Sequence, residues 1–527
     1  NPKLLTNLST TGGIYKFKSE YVEENPGAYY ISSKIKVPDV EISEFAGLSE
    51  TKYNKNVILI THPDLVESAK EFKAYRESNS DLSIGIFTVD HIYNEFGAGV
   101  PDIAAIRNFI SNAYHYWDVR PEYVILWGDG HFDYKNITSK AINFIPPFES
   151  LDDTDYFDEL NSVVSDDYYV QVDGEDTLID LAIGRITINS DTEGKAVVDK
   201  INHYENNSSN DQWRNNILLL ADDSKVGNND RADGSIHVNQ SEDLARGYIP
   251  QDMNIEKMYL VKYPTQYLEN GRRKPELTQD MLKNINNGGS LLLNWIGHGN
   301  PRVWAHEAIL EREKTIPEML NYDKLFFLTA ATCDYGRFDN PSTQSGAEVM
   351  FASKEGGAIG SFTAARIVLS SSNADLNERY YAQLFSRNLQ TGKYNTLGEA
   401  YYNVKSLRNS QNDRKFFLLG DPTMRILIPH YEVRIDSING VAVNEVDSVM
   451  NFKALSEVNI HASIIDPSGN TVDNTFNGSA TITILDGDEH IEMNDEDTGH
   501  FFEFTEFGGA LSRSSLIVEN GRISGAL

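Results

Sequence analysis

Short apolar runs alternate with amphipathic stretches along most of the chain. Runs of strand length begin at Asn56 (NVILITHPDL), Ser83 (SIGIFTV) and Glu122 (EYVILWGDG). The stretch from Asp64 to Asn79 repeats apolar residues at helical spacing, and so does IAAIRNFISNAYHYW. Another apolar run, LIDLAIGRI, is again followed by a helical pattern. Strands that alternate with helices predict an α/β fold with a mostly parallel sheet.

Changes in this pattern predict four segments. Residues 1–50 alternate weakly, which indicates the β-rich end of a preceding domain. Residues 51–207 form a first α/β subdomain, and residues 208–429 form a second one after a polar linker. In residues 430–527 the helical pattern gives way to short alternating runs and turn residues. This pattern predicts an all-β domain, an immunoglobulin-like sandwich.

Charge and cysteine content narrow the class of protein. Of the 527 residues, 78 are Asp or Glu and 46 are Lys or Arg, giving a net charge of −32. This charge argues against a nucleic-acid partner, whose phosphates would be repelled. The single cysteine excludes an intramolecular disulfide framework. The sequence has no signal peptide and no apolar run of membrane-spanning length, and we interpret it as a fragment of an exported protein.

Two related stretches carry the candidate chemistry. LLLNWIGHGNPRVWAHE covers Leu291–Glu307, and KLFFLTAATCDYGRFD covers Lys324–Asp339. Each is an apolar strand that ends abruptly, the first at His298 between two glycines and the second at Cys333. TIPEMLNYDK between them has the pattern of a short crossover helix, so both residues should lie at one edge of the sheet. A thiol beside an imidazole can serve as a nucleophile with its base.

Each candidate also has an ordinary interpretation. Cys333 could be a buried core cysteine, although the chain turns polar immediately after it. His298 alone could be a loop histidine, although its flanking glycines give backbone freedom and little steric cover. A third group should orient the imidazole, and Asp180 within LIDLAIGR is the candidate. Asp180 could equally be a surface residue on an edge strand.

Metal binding has weaker signals. The catalytic hypothesis requires no cofactor, and the histidines show no HExxH spacing, so no metal ligand is assigned. Calcium could bind the acidic clusters, although none follows the EF-hand pattern. These clusters are Asp152, Asp153 and Asp155; Asp166 and Asp167; Asp222 and Asp223; and Asp486 and Asp488.

With these motifs the chain resembles the gingipain-type cysteine peptidases, which have a caspase-like fold. The resemblance runs from VILITHPDL to GDPTMRI and is strongest to the sortase branch that serves type IX secretion in Bacteroidetes. It implies two α/β subdomains followed by an immunoglobulin-like domain. His298 and Cys333 match the catalytic dyad, and Asp180 falls where the family has an acidic residue. The oxyanion donors would be the backbone N–H groups of Gly299 and Cys333.

The resemblance also implies a role at the outer face of the outer membrane. The enzyme would remove the C-terminal signal domain of secreted cargo and pass the acyl group to an amine of anionic surface lipopolysaccharide. An outer-membrane barrel of the PorV type would anchor it. A gingipain-like endopeptidase that hydrolyses the same thioester, and a catalytically silent surface scaffold, are the alternatives. Side chains that follow the two turns are candidates to shape the mouth of the site, although each of them could instead be an ordinary loop residue that packs over the sheet. They are Arg302, Trp304, His306, Glu307, Tyr335 and Arg337.

Overall fold

The computed structural model describes residues 9–11, 14–16, 45–50, 52–150, 162–207, 212–227, 231–269, 271–388, 391–445, 450, 453, 456–466, 469 and 471–526. The chain divides into two units, Asn1–Glu44 and Phe45–Leu527. In the first unit, β1 (Ser9–Thr11) pairs antiparallel with β2 (Ile14–Lys16). Most of the predicted β segment at 1–50 lies outside the described residues, as does the acidic cluster at 152–155.

The second unit is built on one ten-stranded sheet. Its strands, in chain order, are β3 (Val57–Thr61), β4 (Ile84–Thr88), β5 (Tyr123–Trp127), β8 (Ala182–Ile186), β9 (Asn216–Ala221), β10 (Asn254–Tyr259), β13 (Leu292–Ile296), β16 (Phe326–Ala331), β17 (Ala358–Ala364) and β18 (Phe416–Leu419). Small antiparallel pairs accompany it: β6 (Phe148–Glu149) with β7 (Val164–Ser165), β11 (Gln266–Leu268) with β12 (Gly271–Arg273), and β14 (Val303–Trp304) with β15 (Leu310–Glu311).

The strand order is β10-β9-β13-β16-β17-β18-β8-β5-β3-β4. The first five strands of this order, β10, β9, β13, β16 and β17, are mutually parallel. The last four, β8, β5, β3 and β4, are also parallel to one another. Strand β18 runs antiparallel to β17 and parallel to β8, so the two predicted α/β subdomains share one sheet with opposite strand directions. The carboxyl ends of β13 and β16 therefore lie at the same edge as the amino end of β8. The predicted domain boundaries stay predictions.

Helices pack on the faces of this sheet. They are α1 (Val66–Asn79), α2 (Val89–Phe96), α3 (Ile103–Tyr116), α4 (Asp191–Asn206), α5 (Ile236–Gly247), α6 (Pro275–Lys283), α7 (Gly346–Ala352), α8 (Ser370–Leu384), α9 (Leu397–Lys405) and α10 (Gln411–Arg414). Capping boxes start α7, through Ser345 and Glu348, and α9, through Thr396 and Glu399. Every residue of β3, β5, β13 and β16 is buried, which explains their continuous apolar runs. No helix in the described ranges is long and apolar enough to cross a membrane.

The connection from β13 to β16 differs from the predicted crossover helix. It contains the β14–β15 pair and the 3₁₀ turns Ile316–Glu318 and Tyr322–Lys324. The Asn321 side chain donates hydrogen bonds to the carbonyls of Lys324 and Gly357. Such side-chain to backbone hydrogen bonds stabilise a turn in place of a regular helix. The predicted parallel pairing of the two strands is confirmed, with Ile296 opposite Ala331.

The C-terminal region is all β, as predicted. Its strands are β19 (Glu432–Ile438), β20 (Val441–Ala442), β21 (Asn459–Ile465), β22 (Gly478–Leu485), β23 (Glu489–Asn494), β24 (Phe501–Glu506), β25 (Ala510–Glu519) and β26 (Arg522–Ala526). Six form an antiparallel sheet in the order β20-β19-β21-β26-β25-β22. Strands β23 and β24 form a separate hairpin, and Phe502 and Phe504 of β24 are buried in the α/β core. The immunoglobulin-like assignment is not confirmed.

Candidate active site

His298 and Cys333 occupy equivalent positions on adjacent strands. Each lies two residues beyond the paired Ile296 and Ala331 that end β13 and β16. Neighbouring strands are about 4.8 Å apart, so the two turns lie side by side at the carboxyl edge. A Cβ added to Gly299 would lie 2.5 Å from Thr332 Oγ1, which shows how closely the turns approach. The structure thus brings both predicted residues to one place.

Close packing, rather than backbone freedom, explains the two glycines around His298. A Cβ on Gly297 would lie 2.6 Å from the Cβ of Asp222, and a Cβ on Gly299 would collide with Thr332. Neither glycine has a positive φ. The buried Asp222 accepts the backbone N–H of His298 at 2.9 Å and so fixes the turn from below.

The ring of His298 is held by Asp233. Its Nε2 lies 2.7 Å from Asp233 Oδ2, and Asp233 belongs to the loop between β9 and α5. A carboxylate accepts a hydrogen bond, so Nε2 carries the proton in the neutral ring and Nδ1 keeps its lone pair. Nδ1 is the nitrogen left to receive a proton from the thiol.

Asp180 does not take this place, so the prediction for it is wrong in this structure. Its Oδ2 accepts the backbone N–H groups of Val172 and Asp173 at 2.7 and 2.8 Å. It precedes β8, which is four positions from β13 in the sheet. That separation is on the order of 19 Å at ordinary strand spacing. Asp180 stabilises the turn before β8.

The Cys333 thiol is half-buried and points to the segment after β17. Its S–H donates to the carbonyl of Val368, with 3.6 Å between the heavy atoms. Burial and the negative charge of Asp334 raise the pKa of Cys333, whereas the positive charge of Lys415 opposes the rise. Burial lowers the pKa of His298, whereas the hydrogen bond that its Nε2–H donates to Asp233 raises it. The resting pair is therefore a neutral thiol and a neutral imidazole, and the thiol must turn toward the ring to react.

This pairing predicts how alkylation of the thiol depends on pH. The thiolate is the reactive form, so the rate with iodoacetamide should rise with a midpoint above the ordinary cysteine value of about 8.5. The measurement is the pseudo-first-order rate from pH 5 to 10, with Cys333→Ala as the unlabelled control. Full reactivity already at pH 5 would show a preformed thiolate–imidazolium pair and contradict the neutral pair.

Two backbone donors flank the space between the turns. The N–H groups of Gly299 and Cys333 donate to no acceptor within the described part of the chain. Together they could bind the oxygen of a carbonyl that the sulfur attacks. Asp334, directly after Cys333, has a φ of 55°, which gives the sharp turn needed at the end of β16.

The side chains predicted to shape the mouth separate into two groups. Trp304 is fully buried and stacks on Trp295 with ring centroids 5.4 Å apart, and Glu307 is buried against Arg272. Tyr335 is also fully buried. Trp304, Glu307 and Tyr335 are therefore part of the core and do not line the mouth of the site.

The remaining three lie at or near the surface. Arg302 is exposed but pairs with Glu313, and Arg337 is half-buried. His306 is exposed, and its ring centroid lies 5.2 Å from that of His298. His306 is thus the predicted mouth residue whose ring contacts the ring of His298.

Asp222, Asp223 and Glu307 form a buried acidic cluster. Asp223 pairs with Lys274 at 3.5 Å and Glu307 with Arg272 at 2.5 Å. These internal cations offset part of the negative charge. Calcium binding stays a prediction.

The hairpin β23–β24 braces the loop that carries Asp233. At its tip, the Thr498 hydroxyl bonds the Ser224 hydroxyl, and the Ser224 carbonyl accepts the N–H of Asp233 at 2.9 Å. Asp497 in the same tip accepts from Arg272 at 3.0 Å. Sequence patterns give no signal for this contact, because 274 residues separate Ser224 from Thr498.

Replacing Thr498 with valine should therefore disturb the imidazole. Valine removes the hydroxyl that bonds Ser224, and with it the contacts to Asp495 and His500 within the hairpin. The Asp233 loop is then held less firmly, and we expect kcat to fall up to about tenfold with KM little changed. The matched control is Thr505→Val on the same hairpin, since Thr505 makes its contacts through backbone atoms. Equal effects of the two substitutions on kcat and on melting temperature would indicate a purely structural role for the hairpin.

Comparison with known proteins supports a common ancestry. The model of peptidase family C25 matches residues 50–427. Gingipain R2 of Porphyromonas gingivalis is 24% identical over 292 residues, which are 55% of this chain and 33% of that protein. The chain thus spans about a third of the length of this relative.

The fold is shared with a solved structure of a gingipain. The Arg specific cysteine proteinase gingipain R (RGPB) matches with a TM-score of 0.54 at 17% identity, over 90% of this chain and 92% of that one. Dimeric latent PorU from Porphyromonas gingivalis matches with a TM-score of 0.41 at 19% identity, over 90% and 40% of the two chains. The family model covers most of the sequence, including both turns of the site. The chain therefore belongs to peptidase family C25, the gingipain family of cysteine peptidases.

Proposed function

We propose that this chain is a cysteine endopeptidase of the sortase kind, with Cys333 as nucleophile and His298 as base. The observation that carries the proposal is the hydrogen bond from His298 Nε2 to Asp233, 2.7 Å long, on the turn beside Cys333. It fixes the tautomer in which Nδ1 can accept the thiol proton. The backbone N–H groups of Gly299 and Cys333 serve as the oxyanion hole.

The first half-reaction uses these groups in sequence. The thiol turns from Val368, gives its proton to His298 Nδ1, and its sulfur bonds to the scissile carbonyl carbon. The carbonyl oxygen takes the negative charge and is bound by the two N–H groups. The imidazolium then returns its proton to the leaving amine as the C–N bond breaks. A thioester between the substrate and Cys333 remains.

The second half-reaction distinguishes a sortase from a hydrolase. An amine or water attacks the thioester and releases the sulfur. The motifs IGHGNPRVWAHE and TCDYGRFD support the sortase assignment through their resemblance to that branch of the family. On this proposal the cargo ends in a C-terminal signal domain, the acceptor is an amine of anionic lipopolysaccharide, and a PorV-type barrel anchors the enzyme at the outer face of the outer membrane.

Exposed apolar residues next to Val368 support a substrate other than an arginine peptide. Ile367 and Leu369 expose 38% and 66% of their surface, and Val368 between them contacts the thiol. An apolar wall stabilises apolar substrate side chains and offers no charge to a guanidinium. The solved gingipain R, by contrast, is named Arg specific.

His306 is the side chain placed to assist the acceptor. Its pKa is lowered by partial desolvation of the ring and by the nearby His298, so it is neutral at neutral pH. It can take the proton that the acceptor amine releases as its nitrogen bonds to the thioester carbon. His306→Gln should then lower the ratio of amide to acid product, while His203→Gln, on the distant surface beside Asp323, should not.

Mass spectrometry of the cleaved cargo tests the proposal. Purified cargo is incubated with the enzyme and the lipopolysaccharide acceptor, and in parallel with the enzyme alone. We expect an amide product in the first reaction. A free carboxylate in both reactions would support a gingipain-like hydrolase. Absence of cleavage, together with failure of a thiol-directed probe to label Cys333, would support a silent scaffold.

A further inference from the structure

A cluster of metal-binding atoms lies behind the catalytic imidazole. Asp233, His237 and His298 each offer one ligand atom, and these atoms lie within 4.8 Å of one another. Asp233 Oδ2 is 2.7 Å from His298 Nε2 and 3.8 Å from His237 Nε2. His237 lies in the first turn of α5, directly after the Asp233 loop. Two elements therefore converge on one point at the sheet edge.

His237 has no evident task in peptide cleavage. Its exposed fraction is 5%, and neither ring nitrogen has a hydrogen-bond partner in the described part of the chain. The 3.8 Å separation from Asp233 is too long for a hydrogen bond. Its ring meets that of His298 edge-on, with centroids 5.4 Å apart. A buried imidazole that makes no hydrogen bond is unfavourable, and the position of His237 suits a ligand that would bind its nitrogen.

Two imidazoles and one carboxylate form a donor set typical of zinc, whereas calcium and magnesium prefer oxygen atoms. Zinc bonds of about 2.0–2.2 Å place ligand atoms about 3.3–3.5 Å apart in a tetrahedron. Asp233 would move away from His298 and toward His237, each by roughly half an ångström. His298 is 32% exposed, so a fourth ligand such as water can reach the ion. We propose that Asp233, His237 and His298 form a zinc-binding site whose occupation blocks catalysis.

Inhibition follows from the tautomer, and this part rests on the proposed peptidase function. Zinc takes the lone pair of His298 Nε2, so the proton on Nε2 must leave. In the neutral metal-bound ring this single N–H proton has passed through solvent from Nε2 to Nδ1. That nitrogen then has no lone pair for the Cys333 thiol, and the base is lost. Removal of zinc restores the Nε2–H to Asp233 hydrogen bond and the free Nδ1.

Binding is tested without reference to activity. Full-length Cys333→Ala protein, which excludes the thiol as a ligand, is titrated with Zn²⁺ against a chromophoric chelator. We expect one zinc per chain, and affinity weakened by about 30-fold or more in Cys333→Ala/His237→Gln. The matched control His203→Gln should stay within about threefold, because one surface histidine adds no second ligand. The melting temperature without metal checks that each variant is folded.

Cobalt gives a second measurement of the same site. Co²⁺ in a tetrahedral site absorbs strongly in the visible range, and this band should be present in Cys333→Ala and lost with His237→Gln. Failure to bind one zinc per chain, or equal binding by the His237→Gln and His203→Gln variants, would overturn the site.

The inhibitory consequence needs the wild-type enzyme. Zinc should abolish peptide cleavage reversibly, with a chelator restoring the rate. Zinc bound through His237 with no loss of cleavage would overturn the inhibition. Zinc bound by a protein that cleaves no substrate even with chelator would instead contradict the proposed function and leave the site standing.

Discussion

Replacing Cys333 with alanine is expected to lower the rate of cargo cleavage by on the order of 10⁴-fold or more, because no other nucleophile is placed to form the covalent intermediate. The thiol lies beyond β16 on the turn beside His298 and must turn from the Val368 carbonyl to reach the imidazole. The N–H groups of Gly299 and Cys333 on these turns donate to no acceptor in the described ranges. Without the sulfur, the oxyanion donors could stabilise only a slow attack by water. The rate is measured on purified cargo with equal amounts of folded protein.

The controls separate loss of chemistry from loss of structure. Cys333 is half-buried and its side chain is small, so alanine should change the free energy of unfolding by about 1 kcal/mol or less. Cys333→Ser keeps a hydroxyl donor for the Val368 carbonyl and should be as inactive as alanine, since a serine hydroxyl is far less acidic than a thiol. A variant with more than about 1% of the wild-type rate would reject Cys333 as the nucleophile.

Local patterns predicted the central sheet because its strands are buried on both faces. Continuous apolar runs such as VILIT and YVILW are the direct consequence of that burial. The merger of the two halves into one sheet was not predictable, since it depends on the short strand β18, which pairs with β17 and β8 across distant parts of the chain. The hairpin β23–β24 was likewise hidden, because its alternation resembles that of a strand in a sandwich while Phe502 and Phe504 are buried in a different core.

The two catalytic turns were predictable for the same reason: each apolar run stops at a reactive side chain. The partner of the imidazole was not, because 65 residues separate Asp233 from His298 and the loop NNDRADGS resembles any polar connection. His237 lies four residues after Asp233, and this spacing is common on one face of a helix. The surrounding sequence contains no zinc-binding motif that would have singled out the pair. Trp304 and Glu307 were predicted at the mouth of the site but are buried. A polar loop sequence does not reveal that part of the loop packs into the core.

Asp233→Asn is the second substitution with a large expected effect. An amide can donate to Nε2 and so favour the tautomer with the proton on Nδ1, which cannot accept the thiol proton. We expect kcat to fall by about 10²- to 10⁴-fold. The hydrogen bond to Asp233 also raises the pKa of His298, against burial. Its loss should lower that pKa further, so the acid limb of kcat/KM should move to lower pH while the plateau falls.

Asp180→Asn is the matched control, because it removes the same charge at the same edge of the sheet. Oδ2 of Asp180 accepts the backbone N–H groups of Val172 and Asp173, and an uncharged amide oxygen in its place can still accept both, more weakly. Its substitution should lower the stability by about 1 kcal/mol and leave kcat within about threefold, with the acid limb unmoved. A large loss of kcat in Asp180→Asn with a small one in Asp233→Asn would mean that the reacting enzyme replaces the Asp233 contact with one to Asp180. That rearrangement would have to bridge four strand positions, from β8 to β13, so the geometry favours Asp233 as the group that orients the imidazole.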